Sequence, residues 1–391
     1  MPLLQNKNTG RSAIAALLAF TLAPFSHAAV DDHARLESVV DTALRPMIEK
    51  YAIPGMAVGV VVAGKPHFFN YGVASKDTGQ PVDQHTLFEL GSISKTFTAT
   101  AATYAQLNGK LSLTDKTSRY LPNLAHHPFG DVSLLSLGTH TPGGLPLQVP
   151  DGIKDNQQLM QYFEQWKPSC KEGTCRTYAN PGIGTLGLIT AQAMGEDFTS
   201  MMEKRVFPAL GLKNSYIDVP AAKAASYAQG YTAEGEPARM ATAVLSSEAY
   251  GIKSSADDLT HFMQANMNLI TLDQKVQQAI TDTHTGYFQA GGMTQDLIWE
   301  QYPLPVSLKV LQEGNSSRMI LDATPVTAIV PPEKTRTDVW INKTGSTQGF
   351  GGYIAYMPEK QLGIVMLANK HYPNAERIDA AYRILSALAQ D

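Results

Sequence analysis

The two ends of this chain carry matching patterns of secondary structure, and this match constrains the fold more than any other feature. A helical repeat over residues 32–51, capped by Asp31 or Asp32, precedes β-branched and aromatic runs at 56–62 and 66–74. Three more strands are predicted at 339–344, 352–357 and 363–367, followed by an amphipathic helix at 375–389. Short links between consecutive strands favour antiparallel pairing. We therefore expect a mixed α/β fold of the α+β class, in which both chain ends build one antiparallel β-sheet between terminal helices.

The middle of the chain has a different texture. Between residues 111 and 250, short helical segments are divided by prolines and glycines. This pattern predicts a mainly helical domain at 109–251, inserted into a sheet domain formed by 29–108 and 252–391. We expect the active site in the cleft between the two domains.

The N-terminus is typical of an export signal. Lys7 and Arg11 precede an apolar run at 13–25, and residues 26–28 form a small-x-small cleavage site. A membrane anchor is the alternative, but it needs about 20 apolar residues, and Pro24 and His27 interrupt the run. We expect residues 1–28 to be removed and the mature protein to be soluble and periplasmic.

Composition narrows the class of partner. The 391 residues are 43% hydrophobic and carry a formal net charge of −4, so no basic surface indicates nucleic acid or anionic lipid. The histidines lack metal-binding spacing, and the G-x-G-x-x-G pattern at 182–187 follows no predicted strand. We expect no metal, no cofactor and a small-molecule partner.

Two cysteines, Cys170 and Cys175, enclose four residues. Export would place them in an oxidising compartment, where a small disulfide loop is the favoured interpretation. Two free thiols are one alternative. A metal pair is the other, although further ligands are not evident.

Ser92 and Lys95 are the first candidates for catalysis. Three residues apart at the start of a helix predicted over 92–107, they lie on the same helical face. A nearby ammonium can activate a serine nucleophile. The spacing is weak by itself, because an isolated serine here is more often a helix N-cap. Three other stretches could complete such a site, at 178–180, 343–345 and 369–377.

Taken together, these stretches resemble a known family. GSISK at 91–95, YAN at 178–180 and KTG at 343–345 resemble, in this order, the three motifs of class C serine β-lactamases. FELGSISKTF, GGLPLQVPD, WINKTGSTQGFGGY and IVMLANK are also similar to that family, and the resemblance runs from about residue 32 to the end. It implies a serine β-lactamase/DD-peptidase-like fold and a monomer. It also implies hydrolysis of the amide bond of cephalosporins and penicillins, and hence resistance to these antibiotics.

The resemblance also implies roles for the catalytic residues. Ser92 attacks the β-lactam carbonyl and forms an acyl-enzyme, and Tyr178 is the base or shares a proton with Lys95. A phenol has an ordinary pKa near 10, so Tyr178 needs the cations of Lys95 and Lys343 to act near neutral pH. Backbone N–H groups of Ser92 and Ser346 form the oxyanion hole.

The remaining residues are implied to bind the substrate. Gln148 and Asn180 face its amide side chain, and Tyr250 lines the side-chain pocket. Four residues match positions around the substrate carboxylate, where charge-assisted hydrogen bonds are strong: Lys343, Thr344, Asn374 and Arg377.

Two other functions fit the same motifs. A DD-peptidase or esterase would keep the acyl-enzyme with a β-lactam for longer, because no water is placed to release it. A penicillin-binding sensor would not turn the substrate over, but such sensors are usually tethered to a membrane.

Overall fold

The computed structural model describes residues 25–390, and of residues 25–32 it describes the backbone alone. Residues 1–24 of the predicted leader lie outside this range, and residues 25–28 begin the first helix. No helix in the described part of the chain has the length and apolar character needed to cross a membrane.

A nine-stranded sheet forms the centre of the fold, and both ends of the chain contribute to it. Every neighbouring pair is antiparallel, in the spatial order β6-β3-β4-β5-β7-β8-β9-β1-β2. The strands are β1 Gly55–Val62, β2 Lys65–Gly72, β3 Gly286–Ala290, β4 Met293–Gln295, β5 Glu300–Pro303, β6 Thr327–Glu333, β7 Val339–Ser346, β8 Gly351–Met357 and β9 Leu362–Ala368.

Thirteen α-helices are found in residues 25–390. They are α1 Phe25–Lys50, α2 Ser94–Leu107, α3 Leu134–Gly138, α4 Asn156–Gln165, α5 Asn180–Met194, α6 Phe198–Met201, α7 Phe207–Ala209, α8 Ser246–Ala249, α9 Ala256–Asn266, α10 Gln274–Asp282, α11 Leu308–Gly314, α12 Ser317–Leu321 and α13 Asn374–Leu388.

The central strands are buried on both faces, which explains their continuous apolar sequence. In β1, Ala57 and Val61 enter the core that includes residues of α2 and α9. Met56, Val58 and Val60 enter the opposite core, which includes residues of α1 and α13. Burying each large apolar side chain contributes about 1.5–3 kcal/mol, so these two cores fix the register of β1 between β2 and β9.

The predicted fold class is confirmed, with three local differences. The first helix begins at Phe25 and ends at Lys50, earlier than expected. Ser92 lies in a single 3-10 turn, Gly91–Ile93, that leads into α2. Strands β3 to β6 carry no clear period-2 apolar pattern, since three of them have five residues or fewer and β6 is mostly exposed. The boundaries of the two domains stay a prediction.

Candidate active site

The turn that carries Ser92 lies directly against strand β7. Gly91 has a φ of +53°, and a Cβ built there would be 2.5 Å from the Ser346 nitrogen. A Cβ on Gly345 would be 2.0 Å from the Leu90 oxygen. Both contacts require glycine, because such distances leave no room for a side chain. The backbone at Gly91, directly before Ser92, is therefore held close to Ser346, as the predicted oxyanion hole needs.

Lys95 reaches the nucleophile position from inside the core. Its Nζ donates to Ser92 Oγ at 2.8 Å and to the Ala249 carbonyl at 2.9 Å. The side chain is fully buried. Burial and the charge of Lys343 outweigh the opposing effect of Tyr178 and lower the pKa of Lys95 to about 8. A substantial fraction of Lys95 is therefore neutral near physiological pH, and neutral lysine can accept the serine proton.

Tyr178 lies between two lysines. Lys343 Nζ is 5.0 Å and Lys95 Nζ is 5.3 Å from its ring centroid. Its Oη is buried. Burial alone would raise the pKa of this phenol, but the charges of Lys343 and Lys95, helped by the Ser92 hydroxyl, lower it to about 8. Tyr178 can therefore share a proton with Lys95, and the two groups titrate as a coupled pair.

Lys343 is a buried cation that remains charged. Its Nζ lies 3.7 Å from Glu300 Oε1 and donates to the Thr344 carbonyl at 3.3 Å. Burial opposes the charge, but Glu300 and Tyr178 outweigh it and raise the pKa of Lys343. The site thus contains one lysine near its titration point and another fixed as an ammonium.

This arrangement places a serine hydroxyl, two lysines and a tyrosine together beside the end of β7, and acyl transfer through a serine ester requires groups of these kinds. The model of the β-lactamase family matches residues 40–389. A β-lactamase of Pseudomonas fluorescens is 49% identical over 355 residues, which are 91% of this chain and 99% of the relative. The chain belongs to the β-lactamase family.

Solved structures similar to this β-lactamase confirm its class and fold. A class C β-lactamase in complex with cefoxitin has 49% identity and a TM-score of 0.89, over 91% of this chain and 99% of the other. A β-lactamase/D-alanine carboxypeptidase from Pseudomonas syringae has 52% identity and a TM-score of 0.89, over 90% and 99%.

Two residues predicted to bind the substrate's amide side chain contact each other in this β-lactamase. Asn180, the first residue of α5, donates from Nδ2 to Gln148 Oε1 at 2.8 Å. Gln148 is exposed, whereas Asn180 Oδ1 is buried without a partner in the described structure. An amide ligand could satisfy that oxygen. Tyr250 directly follows the Ala249 carbonyl that binds Lys95, and it is half-buried.

The four predicted carboxylate-binding residues have different surroundings. Thr344 is buried beside Lys343 on β7, and Asn374 begins α13 with a buried Oδ1 that lacks a partner within residues 33–390. Arg377 lies one turn further along α13 and is fully buried. Its guanidinium donates to the backbone carbonyls of Gly345 on β7 and Gly352 on β8. Burial lowers the pKa of Arg377 to about 10, so it is still charged at neutral pH.

Three residues around Tyr178 and Lys343 belong to none of the motifs found in the sequence: His140, Arg176 and Glu300. The His140 ring lies 4.3 Å from the Tyr178 ring, and its Nδ1 accepts the Ala179 N–H at 3.2 Å. Burial, Arg176 and the two active-site lysines hold the pKa of His140 well below its usual range, so it is neutral. Arg176 donates to Glu300 Oε1 at 3.2 Å. No local motif connects these residues, and tertiary packing alone brings them together.

Cys170 and Cys175 are paired in a disulfide, with Cα atoms 6.4 Å apart. The strand pair formed by Cys175–Arg176 and Thr324–Pro325 follows it directly and leads to Tyr178. Among residues 33–390, no group of three or more His, Cys, Asp or Glu side chains is placed to hold a metal ion.

The glycines at 182, 184 and 187, which produce the G-x-G-x-x-G pattern, lie in α5 and pack closely against neighbouring residues. A Cβ on Gly184 would be 2.7 Å from Leu245 Cβ, and one on Gly187 would be 2.8 Å from Glu248 Cβ. Close helix packing therefore explains the pattern.

Proposed function

We propose that this class C β-lactamase hydrolyses the β-lactam amide of cephalosporins and penicillins through an acyl-enzyme on Ser92. The observation that carries the proposal is the 2.8 Å contact between Lys95 Nζ and Ser92 Oγ, beside a tyrosine of lowered pKa. Ser92 Oγ bonds to the carbonyl carbon while its proton passes to the Lys95–Tyr178 pair. That pair then protonates the lactam nitrogen as the amide bond breaks. Water attacks the ester, releases the ring-opened acid and restores Ser92.

The oxyanion of each tetrahedral intermediate is stabilised by the N–H groups of Ser92 and Ser346. The close contacts of Gly91 with Ser346 and of Gly345 with Leu90 support this role, because they hold the two backbone segments together before the substrate binds. Preorganised donors of this kind are worth about 3–4 kcal/mol each in a water-excluded site.

The substrate's charged and polar groups are held by the surrounding residues. Lys343 supplies the fixed positive charge for the carboxylate, aided by Thr344 and Asn374. The buried positive charge of Arg377, at the end of β7, adds to the positive potential that attracts the carboxylate. Gln148 and Asn180 bind the amide side chain, and Tyr250 lines its pocket.

We also propose that the enzyme works as an exported monomer in the periplasm, where it intercepts β-lactams and gives resistance. The charged start, apolar run and cleavage site within residues 1–28 support export. Sequencing the N-terminus of protein from the periplasm tests this, and a mature chain that starts far from Ala29 would contradict it.

Turnover of a chromogenic cephalosporin is the direct test of function. The wild-type enzyme is expected to hydrolyse it, and Ser92→Ala is expected to abolish turnover while the melting temperature stays close to that of the wild type. Ser38→Ala, on the exposed surface of α1, is the control and is expected to retain full activity. Folded wild-type protein without turnover, or an active Ser92→Ala variant, would refute the proposal.

D-alanine carboxypeptidase activity is a second candidate, because the P. syringae relative carries both activities in its name. Mass spectrometry at intervals after penicillin is added separates the two functions. Rapid loss of the adduct supports the β-lactamase. A long-lived adduct, together with release of D-alanine from a D-Ala-D-Ala peptide, supports the carboxypeptidase.

A further inference from the structure

The two terminal nitrogens of Arg377 donate to residues on and around β7. Nη1 donates to the Gly345 carbonyl at 2.7 Å, to Ser346 Oγ at 2.9 Å and to the Gly352 carbonyl at 3.3 Å. Nη2 donates to the Tyr372 carbonyl. The guanidinium therefore links the end of β7, the start of β8 and the segment before α13.

The space around the guanidinium is closed. A Cβ on Gly351 would be 2.5 Å from Nη2, and the Tyr372 ring centroid lies 4.5 Å from Cζ. The whole Arg377 side chain has 0% exposure. Nε is buried and has no partner in the described structure. A substrate carboxylate could bind the two terminal nitrogens only if their backbone contacts broke, which would leave buried carbonyls unpaired.

The other side of the same peptide faces the nucleophile. Gly345 and Ser346, which bind Arg377, are the residues whose backbone touches Leu90 and Gly91. Any movement of this peptide toward α13 would separate the Ser346 N–H from Ser92. Arg377 therefore holds this peptide in the position where Gly91 contacts Ser346 and Gly345 contacts Leu90.

We infer that Arg377 is a positioning residue for the oxyanion hole, acting through Gly345 and Ser346, and that it is not a direct ligand of the substrate carboxylate. The inference rests on the proposed function and deepens it. A carboxylate ligand affects substrates that bear a carboxylate. A residue that positions the oxyanion hole affects every acyl transfer, because each passes through the same tetrahedral oxyanion.

Arg377→Lys and Ser346→Ala test this inference with three probes: a chromogenic cephalosporin, the neutral ester p-nitrophenyl acetate, and phenylboronic acid, which lacks a carboxylate. Removing one oxyanion donor costs about 10²–10³ in kcat, so its displacement in Arg377→Lys should lower kcat about tenfold on both substrates. The Ki of phenylboronic acid should rise by a similar factor. The KM values of the cephalosporin and of p-nitrophenyl acetate should change little. Ser346→Ala keeps the backbone N–H and should give a smaller loss of the same kind, about threefold. Arg383→Lys, an exposed residue of α13 paired with Asp379, is the control and should match the wild type.

A loss confined to the cephalosporin, with the ester and boronate values unchanged, would overturn the inference in favour of a carboxylate ligand. A lower melting temperature with unchanged kinetics would also overturn it, because the role would then be structural. If Arg377→Lys does not fold, Ser346→Ala decides by the same comparison. Failure of the proposed function looks different: wild-type enzyme would not turn over the cephalosporin, while the ester and boronate measurements would still report on Arg377.

Discussion

Replacing Lys343 by methionine removes the fixed charge beside Tyr178 while nearly preserving side-chain volume. The cavity stays filled, and Glu300 remains paired with Arg176 at 3.2 Å and with Asn342 Nδ2 at 3.1 Å. The main change is therefore electrostatic. Without this ammonium, the phenol of Tyr178 and the ammonium of Lys95 both keep their protons to higher pH.

The size of the effect follows from the two pKa values of Tyr178. Lys343 and Lys95, with the Ser92 hydroxyl, hold it at about 8 against the effect of burial, and an unperturbed phenol titrates near 10. A rise of about one to two units lowers the ionised fraction at pH 7 by about 10- to 100-fold, or about 1.4 to 3 kcal/mol. We expect kcat/KM for a neutral ester to fall within this range, because Lys95 still lowers the pKa of Tyr178. A cephalosporin should lose about tenfold more, because it also loses the charged contact to its carboxylate.

The assay is the pH dependence of kcat/KM from pH 5 to 10 for both substrates. In Lys343→Met the acid limb should move about one to two units to higher pH, since the proton-accepting groups then lose their protons at higher pH. Lys343→Arg retains the cation and is the matched control, with its acid limb close to the wild-type position. An unmoved limb in Lys343→Met would refute the electrostatic argument. Equal losses on ester and cephalosporin would refute the carboxylate contact.

Two further predictions concern stability. Cys170→Ser opens a six-residue loop and should lower the free energy of unfolding by about 2 kcal/mol in chemical denaturation. Its kcat should stay within about threefold of the wild type, because the strand pair at 175–176 and 324–325 still leads into Tyr178; a large fall in kcat would show that the disulfide positions Tyr178. Asp296 is fully buried, and neither carboxylate oxygen has a partner in the described structure, so burial raises its pKa well above the usual range. The folded protein keeps this proton after the unfolded chain loses it near pH 4, so the cost of Asp296 grows as pH rises above that value. Asp296→Asn should therefore raise the melting temperature more at pH 8 than at pH 4, and equal effects at both would contradict this assignment.

Continuous apolar runs in the sequence predict the strands at the centre of the sheet. β1, β7, β8 and β9 were predicted within two residues because they are buried on both faces and read as apolar runs. β3 and β4 are not predicted because they have only five and three residues. β6 contains Pro331 and Pro332 and lies at the sheet edge, where neither burial nor a full set of hydrogen bonds shapes its sequence.

The candidate site was predicted unevenly for a similar reason. Four candidate residues lie in short motifs, so the resemblance indicates them directly: Ser92, Lys95, Tyr178 and Lys343. Glu300, which keeps Lys343 charged, lies on β5 and reaches it only because β5 pairs with β7. The surroundings of Arg377 depend on Gly351 leaving space for its guanidinium, a contact across two elements that no local pattern encodes.

The pairing of β9 with β1, and of β7 with β8, has a consequence for biosynthesis. Ser92 is made early, but the strand that carries Ser346 enters the sheet only after the last third of the chain is available. Truncated products therefore contain the nucleophile without an oxyanion hole and should be inactive. Long-range pairing of this kind also slows folding. Activity is thus a measure of complete synthesis and assembly, and a fragment ending before β7 should regain it only when the missing strands are supplied as a second chain.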